Sequence, residues 1–249
     1  MFLHDIPFDH FDIQLGDTLK EPKHEADQPF DCIVSNPPYS ITWDGKNDPL
    51  NINDERFSPA GVLAPASKAD LAFVMHMLSW LSPDGTAAIV EFPGVLYRGG
   101  AEAKIRGYLV RNNYVDAVIQ LPADLFFGTS IATCVIVLKK GKRAGDVLFV
   151  DASGECERHD AKNRLGPRNV DRIVAAYEAR EPEEHFCALV ANDAVLENEA
   201  NLSVSSYVEQ PDTREEVDIA ALNAQIAQIV AREQELREQI DRIVADLEG

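Results

Sequence analysis

Between residues 30 and 150, short runs of β-branched and apolar residues alternate with stretches of helical periodicity, and few folds accept that alternation. Phe30-Asp31-Cys32-Ile33-Val34-Ser35 and residues 86–92, 115–121, 131–138 and 146–150 read as strands, with Asp12-Ile13-Gln14-Leu15-Gly16-Asp17 as one more upstream. Leu71, Val74, Met75, Leu78 and Leu81 recur at steps of three and four, which predicts a helix over 66–81 stopped by Pro83-Asp84-Gly85. A second helix is expected over 101–112. Such a chain builds an α/β layered sheet. Lys139-Lys140-Gly141-Lys142-Arg143-Ala144-Gly145 turns between the last two strands, so these are expected to form an antiparallel hairpin and the sheet is not wholly parallel.

After residue 157 the pattern weakens to one helix over 170–178 and polar connections around Pro167 and Pro182, expected as a satellite over 158–211 packed on a sheet domain of residues 1–157. From 212 to 249 it sharpens again. Ile219, Leu222, Ile226, Ile229, Glu233, Leu236, Ile240, Ile243 and Leu247 alternate steps of three and four, with only Glu233 polar. This is a coiled-coil seam, and its apolar stripe needs a partner helix from the same chain, a copy of it or another subunit. A helix folded back on its own domain is the plainer reading, but a strict 3.5-residue period is narrower than such a helix needs.

Composition narrows the class. With 249 residues, 45% hydrophobic and 26% charged, the chain is globular, not disordered or collagen-like. No apolar run approaches the roughly 20 residues of a membrane span, and the first residues lack a signal peptide's basic flank, so a cytoplasmic protein with no membrane partner is expected. Cys32, Cys134, Cys156 and Cys187 are widely spaced, which points to neither a metal site nor disulfides. A net charge of -19 leaves no general cationic grip on nucleic acid; if the chain meets DNA, something basic must help it.

Ser35-Asn36-Pro37-Pro38-Tyr39, directly after a buried strand, is the most informative segment. Two successive prolines fix φ and remove two N–H groups, so the loop is rigid and offers carbonyl acceptors. The Asn36 side-chain oxygen and the Pro37 carbonyl suit an amino group conjugated to a ring, holding its nitrogen as it becomes tetrahedral and attacks an electrophile. Tyr39 offers a flat face for a base, and the end of a parallel strand is where such sheets put their sites.

Asn36-Pro37-Pro38-Tyr39 resembles the catalytic motif of S-adenosylmethionine-dependent amino-group methyltransferases, which act on DNA adenine, on rRNA or on release-factor glutamine. Further segments resemble the modification subunit of type I restriction-modification systems: Phe2-Leu3-His4-Asp5-Ile6, Gly16-Asp17-Thr18-Leu19, Gly94-Val95-Leu96-Tyr97-Arg98-Gly99-Gly100-Ala101-Glu102, Leu121-Pro122, Phe126-Phe127-Gly128-Thr129-Ser130-Ile131-Ala132-Thr133-Cys134 and Asn201-Leu202-Ser203-Val204-Ser205-Ser206-Tyr207-Val208. The resemblance implies part of a Rossmann-like methyltransferase sheet and transfer of a methyl group from S-adenosylmethionine to N6 of an adenine flipped out of DNA. Asn36, Pro37, Pro38 and Tyr39 would be catalytic, and Asp17, Thr18 and Asn36 would contact the cofactor. Phe127 would face Tyr39 across the base, with Phe126 as its competitor.

Arg98, before two glycines and a helix, is a candidate for DNA backbone or an ordinary turn residue. Lys139, Lys140, Lys142 and Arg143 form the dense basic cluster, either a DNA contact or a solvated hairpin tip. The implied partners are a specificity subunit on the C-terminal helix, DNA in the complex and, indirectly, a restriction subunit.

The family's glycine-rich cofactor loop is expected upstream of the matched region, and the chain contains no Gly-x-Gly. It therefore reads as the carboxyl-terminal part of a modification subunit, with doubtful activity in isolation. In the family's strand order, the strands ending at Asp17 and Ser35 are separated by two others, so without those the pair must meet directly, be covered or be completed by another chain. Two alternatives stay open: a noncatalytic assembly module of the complex, and an RNA or protein-glutamine amino methyltransferase.

Overall fold

The computed structural model describes residues 6–160, 162–210 and 219–248, the side chains of Phe8, 219–221 and 245–248 excepted. Residues 2–5, the proposed boundary at 211–212 and the seam side chains of Ile219 and Leu247 lie outside that description. The chain divides into two compact units, Met1–Gln210 and Pro211–Gly249.

In the first unit the elements follow as β1 (Phe30–Ser35), α1 (Asp70–Trp80), β2 (Leu81–Glu91), α2 (Ala101–Arg111), β3 (Val115–Gln120), β4 (Cys134–Lys139), β5 (Asp146–Asp151), β6 (Glu157–His159), β7 (Lys162–Arg164), α3 (Pro167–Ala179), β8 (Cys187–Ala191) and α4 (Asn192–Glu197). Six strands form one sheet in the order β1-β2-β4-β3-β5-β8. The pairs β1/β2 and β3/β5 are parallel, whereas β4 runs antiparallel to both β2 and β3, and β8 antiparallel to β5. The apolar run of β4 and the largely apolar β3, whose Asp116 is ion-paired, go to the centre, covered on both faces. Val118, Ile136 and Phe149 face one core cluster shared with α1, α2 and α4. Their alternates Ala117, Val137 and Leu148 face another with Ile173 of α3.

Three expectations are corrected. The antiparallel element is present, but β4 pairs with β3 and β2 and not with β5: the turn after Lys139 carries the chain past β3, where β5 lies parallel. The segment expected as a satellite supplies β8, whose backbone completes the free side of β5, and Leu202, Val204 and Val208 enter the main core. Residues 12–17 form no strand. The alternation is there, but among the described residues no strand pairs with it, and Ile13 and Leu15 stand 71% and 98% exposed. Neither this segment nor any other described strand pairs with the outer side of β1, where Val34 is 77% exposed.

Two boundaries also differ. The helix over 66–81 starts at Asp70, because the Ala69 N–H is taken by the Ile41 carbonyl at 2.9 Å. Pro83-Asp84-Gly85 does not end it; these residues bulge out of β2 between the Phe30–Leu81 and Cys32–Thr86 pairings.

The second unit contains α5 (Ile219–Glu248), a 30-residue helix on which Leu222, Ile226, Ile229, Leu236, Ile240 and Ile243 are all exposed. Among the described residues no helix is long and apolar enough to cross a membrane.

Candidate active site

Ser35 pairs with Ile89, Glu91 pairs with Cys134, and Cys134 pairs with Gln120. The loops after β1, β2 and β3 therefore leave the same end of the sheet, which brings Asn36, Glu91 and the Phe127 segment to one rim. Pro37 is buried while Asn36 and Pro38 are exposed, so the loop is anchored at one proline and shows its amide. The Tyr39 hydroxyl donates to Asn36 Oδ1 at 2.7 Å, which orients that amide and occupies one of the two lone pairs on its oxygen. Burial above all, with Glu91 and Cys134 adding to it, pushes the Tyr39 hydroxyl above its ordinary range, so it stays a donor at neutral pH.

Asp17 Oδ1 accepts from the Leu19 and Lys20 amides at 3.0 and 3.1 Å, closing a tight turn that buries Leu19. Asp17 lines a cavity of about 620 Å³ together with Ile41, Trp43, Asp44 and Phe73, residues that follow the Asn36 loop or belong to α1. Thr18 lines other hollows, beside Trp80.

Arg56 fastens the Asp17 turn to the rest. It grips Asp54 through two nitrogens, at 2.7 Å from Nη2, and donates to the Leu19 carbonyl at 2.9 Å. His76 Nδ1 lies 3.4 Å from Arg56 Nη1; burial, followed by that cation, pushes the imidazole down to about 4, so it faces the arginine uncharged. Replacing Arg56 by alanine should cost about 2 kcal/mol by taking the guanidinium from the Leu19 carbonyl and from the partly buried Asp54, which keeps only the backbone N–H of residue 56. Urea unfolding checks this, and an unchanged midpoint would show that Arg56 holds nothing.

Glu91 ends β2 fully buried, and neither carboxyl oxygen meets a donor in bonding geometry. Burial first, then the neighbouring Asp70, push it up to about 8. Holding the proton in the folded state makes stability fall as pH rises from about 4.5 towards 8, where the loss is complete. Glu91→Gln should thus stabilise the chain by roughly 3 kcal/mol at pH 7, an advantage that fades towards pH 5. Denaturation midpoints of both proteins across that range measure it; parallel curves would contradict it.

The remaining candidates separate. Phe127 is 98% exposed beside Gly128, whose φ of +78° makes the turn, while Phe126 is partly buried. Arg98 turns inward: its Nη1 lies 3.4 Å from Glu102 and 3.8 Å from Asp70. The basic cluster sits at the opposite end of the sheet, since Lys139 pairs with Thr86 at the other extreme of β2. There Lys139 bridges to Asp116 at 3.1 Å, Lys140 donates to the Ser79 and Leu81 carbonyls, and Lys142 donates to Val115 and Asp146. These partly buried lysines satisfy carbonyls and a buried carboxylate; Arg143 is exposed. Asp70, Glu91 and Arg56 were not singled out from sequence. Nothing local marks a helix-start aspartate or a strand-end glutamate as buried.

The model of the family described as N-6 DNA Methylase matches residues 1–216. The methylase subunit of the type I restriction enzyme MpnII of Mycoplasma pneumoniae is 45% identical over 255 residues, spanning 99% of this chain and 47% of that one. For the MjaVII methylase subunit of Methanocaldococcus jannaschii the figures are 33% over 261 residues, 100% and 44%. The crystal structure of the type I restriction-modification system methyltransferase subunit from Streptococcus thermophilus matches with a TM-score of 0.79 at 42% identity, covering 84% of this chain and 45% of that chain. The EcoKI M protein shares the fold, with a TM-score of 0.62 at 19% identity. The chain spans about half the length of the curated relatives it matches.

Proposed function

The chain belongs to the N-6 DNA Methylase family, and from that premise we propose that it forms the base-holding part of a type I methyltransferase subunit acting on N6 of adenine in DNA. One observation carries the reading: a rigid loop at the carboxyl end of a parallel strand exposes an amide oxygen, Asn36 Oδ1, oriented by Tyr39. That oxygen and the Pro37 carbonyl accept hydrogen bonds from an exocyclic amine and hold its nitrogen towards the electrophile as it loses planarity. Because those acceptors are fixed before the base arrives, they favour the transition state over the planar amine. An adenine inside a duplex cannot reach them, so the base is flipped out, with Tyr39 on one face and the exposed Phe127 for the other.

The cavity at Asp17 fits the adenosine end of S-adenosylmethionine. It combines a carboxylate able to accept from an exocyclic amine with the apolar side chains of Ile41, Trp43 and Phe73, beside the further acids Asp44, Asp48 and Asp54, and Ile41 lies two residues after Tyr39. When bound, that cofactor supplies an electrophilic methyl group. Asp17 and Asn36 are its proposed contacts here, with Thr18 in the turn between them and Leu19. The exposed stripe of α5 is proposed to bind a specificity subunit, which would also choose the DNA sequence and bring the positive charge that a chain of net -19 lacks, in a cytoplasmic complex.

The test is to incubate the full assembly with methyl-labelled S-adenosylmethionine and, separately, DNA, rRNA and a release factor. Label in DNA, recovered as N6-methyladenine, is expected. Label in RNA or in a protein glutamine instead would overturn the substrate class.

A further inference from the structure

We infer that Asp70 is a positioning residue for the Asn36–Tyr39 loop, holding the far end of that loop in a backbone conformation it would not keep by itself. The inference rests on the methyl-transfer reading of the loop. Asp70 opens α1, is fully buried, and accepts from the Ser40 N–H through Oδ1 at 2.5 Å. Ser40 directly follows Tyr39 and has a φ of +51°, in the left-handed region that a residue with a side chain enters at a cost. Such a conformation persists only where its surroundings over-determine it. Here two bonds do so: the Ser40 N–H to Asp70, and the Ala69 N–H to the Ile41 carbonyl at 2.9 Å.

The carboxylate is itself held. Its second oxygen, Oδ2, has no hydrogen-bond partner but lies 3.8 Å from Arg98 Nη1, which is 3.4 Å from the buried Glu102 at the start of α2. Arg98 also lies over the Phe92 ring, 5.2 Å from its centroid. Glu91, the third carboxyl near this arginine, keeps its proton at neutral pH, so Arg98 serves two carboxylates and not three. A buried charge with so few partners is expensive, and a neutral side chain of the same shape would fill the space equally well. The carboxylate makes a stronger, charge-assisted bond to the strained amide than a neutral acceptor can.

The consequence passes along the loop. Fixing the Ser40 amide fixes the Tyr39 backbone, which places its hydroxyl on Asn36 Oδ1 at 2.7 Å, which aims the remaining lone pair. Asp70 touches neither base nor cofactor in this account; it acts through Ser40 and Tyr39.

Two variants and two readouts test it. In the full assembly Asp70→Ala should lower kcat by about 10- to 100-fold, with the KM for DNA and for S-adenosylmethionine changed by less than about threefold, because orientation is lost and binding surface is not. Asp70→Asn keeps an acceptor for Ser40 and should recover most of that loss. In the chain alone, hydrogen exchange of the peptide containing the Ser40 amide should quicken in Asp70→Ala and much less in Asp70→Asn. Exchange in Asp70→Ala equal to wild type overturns the inference, as does a kcat loss that Asp70→Asn shares in full. If the wild-type assembly methylates no DNA, the methyl-transfer reading falls and the exchange experiment still decides whether Asp70 holds the loop. Should Asp70→Ala fail to fold, Asp70→Asn against wild type carries the same comparison: near-wild-type kcat and exchange support the inference, and a loss of 10-fold or more overturns it.

Discussion

Asn36→Ala in the full assembly should cut methyl transfer to DNA adenine by roughly 100- to 1,000-fold, the range found when one preorganised polar contact to a reacting group is removed. The substitution deletes an exposed side chain that among the described residues is hydrogen-bonded only to Tyr39, so the sheet loses no buried contact. Unfolding midpoints should therefore stay within about 0.5 kcal/mol of wild type. The loss should fall on kcat more than on the KM for DNA, because the planar amine of the bound base gains less from the acceptor than the nitrogen does as it becomes tetrahedral. Single-turnover transfer of labelled methyl measures this. Turnover within threefold of wild type would remove Asn36 from the chemistry.

Ile229→Asp with Leu236→Asp should abolish co-purification with the specificity subunit. The two side chains are 67% and 44% exposed on α5, so the chain itself gives up little packing when they change. Against a partner helix the effect is large, since each charge forced into an apolar seam costs several kcal/mol. Pairing with a second copy is disfavoured: Glu235, Glu238 and Asp241 flank the stripe, and Arg232 and Arg237 are already engaged on the same helix with Glu235 and Glu233 at 2.9 and 3.0 Å. A double variant recovered with the partner at wild-type yield would assign the stripe to some other use.

The central strands were legible because β3 and β4 are buried on both faces and rich in valine and isoleucine, which leaves little choice. Their neighbours were not. Local periodicity says that residues 131–138 and 146–150 are extended, but pairing is decided by contacts across the sheet, and β3 takes up the place next to β4 that β5 was expected to fill. Residues 12–17 show the same limit in reverse, an alternation with no partner strand. The proposed loop of Asn36 and Tyr39 stood out in the sequence since two prolines after a strand have few structural uses, and the pair does meet through a hydrogen bond. Asp70 was hidden: its role arises from Ser40, thirty residues earlier, adopting a positive φ that no residue type announced. The carbonyl partners of the lysines after β4 were also hidden, because charge density in sequence does not tell whether an ammonium faces water or a carbonyl.

Among the described residues the outer side of β1 is unpaired, and this has consequences wherever that edge is left uncovered. Six residues of parallel strand with open N–H and C=O groups, next to the exposed Val34, are a template that accepts whichever extended segment arrives first. Capture by a second copy depends on the square of concentration, whereas capture by a cognate chain depends on the product of the two. The ratio of partner to copy, more than the stability of the fold, thus sets how much of the protein stays in solution. Synthesis in step with whatever covers that edge is then worth more to yield than any single stabilising substitution in the core.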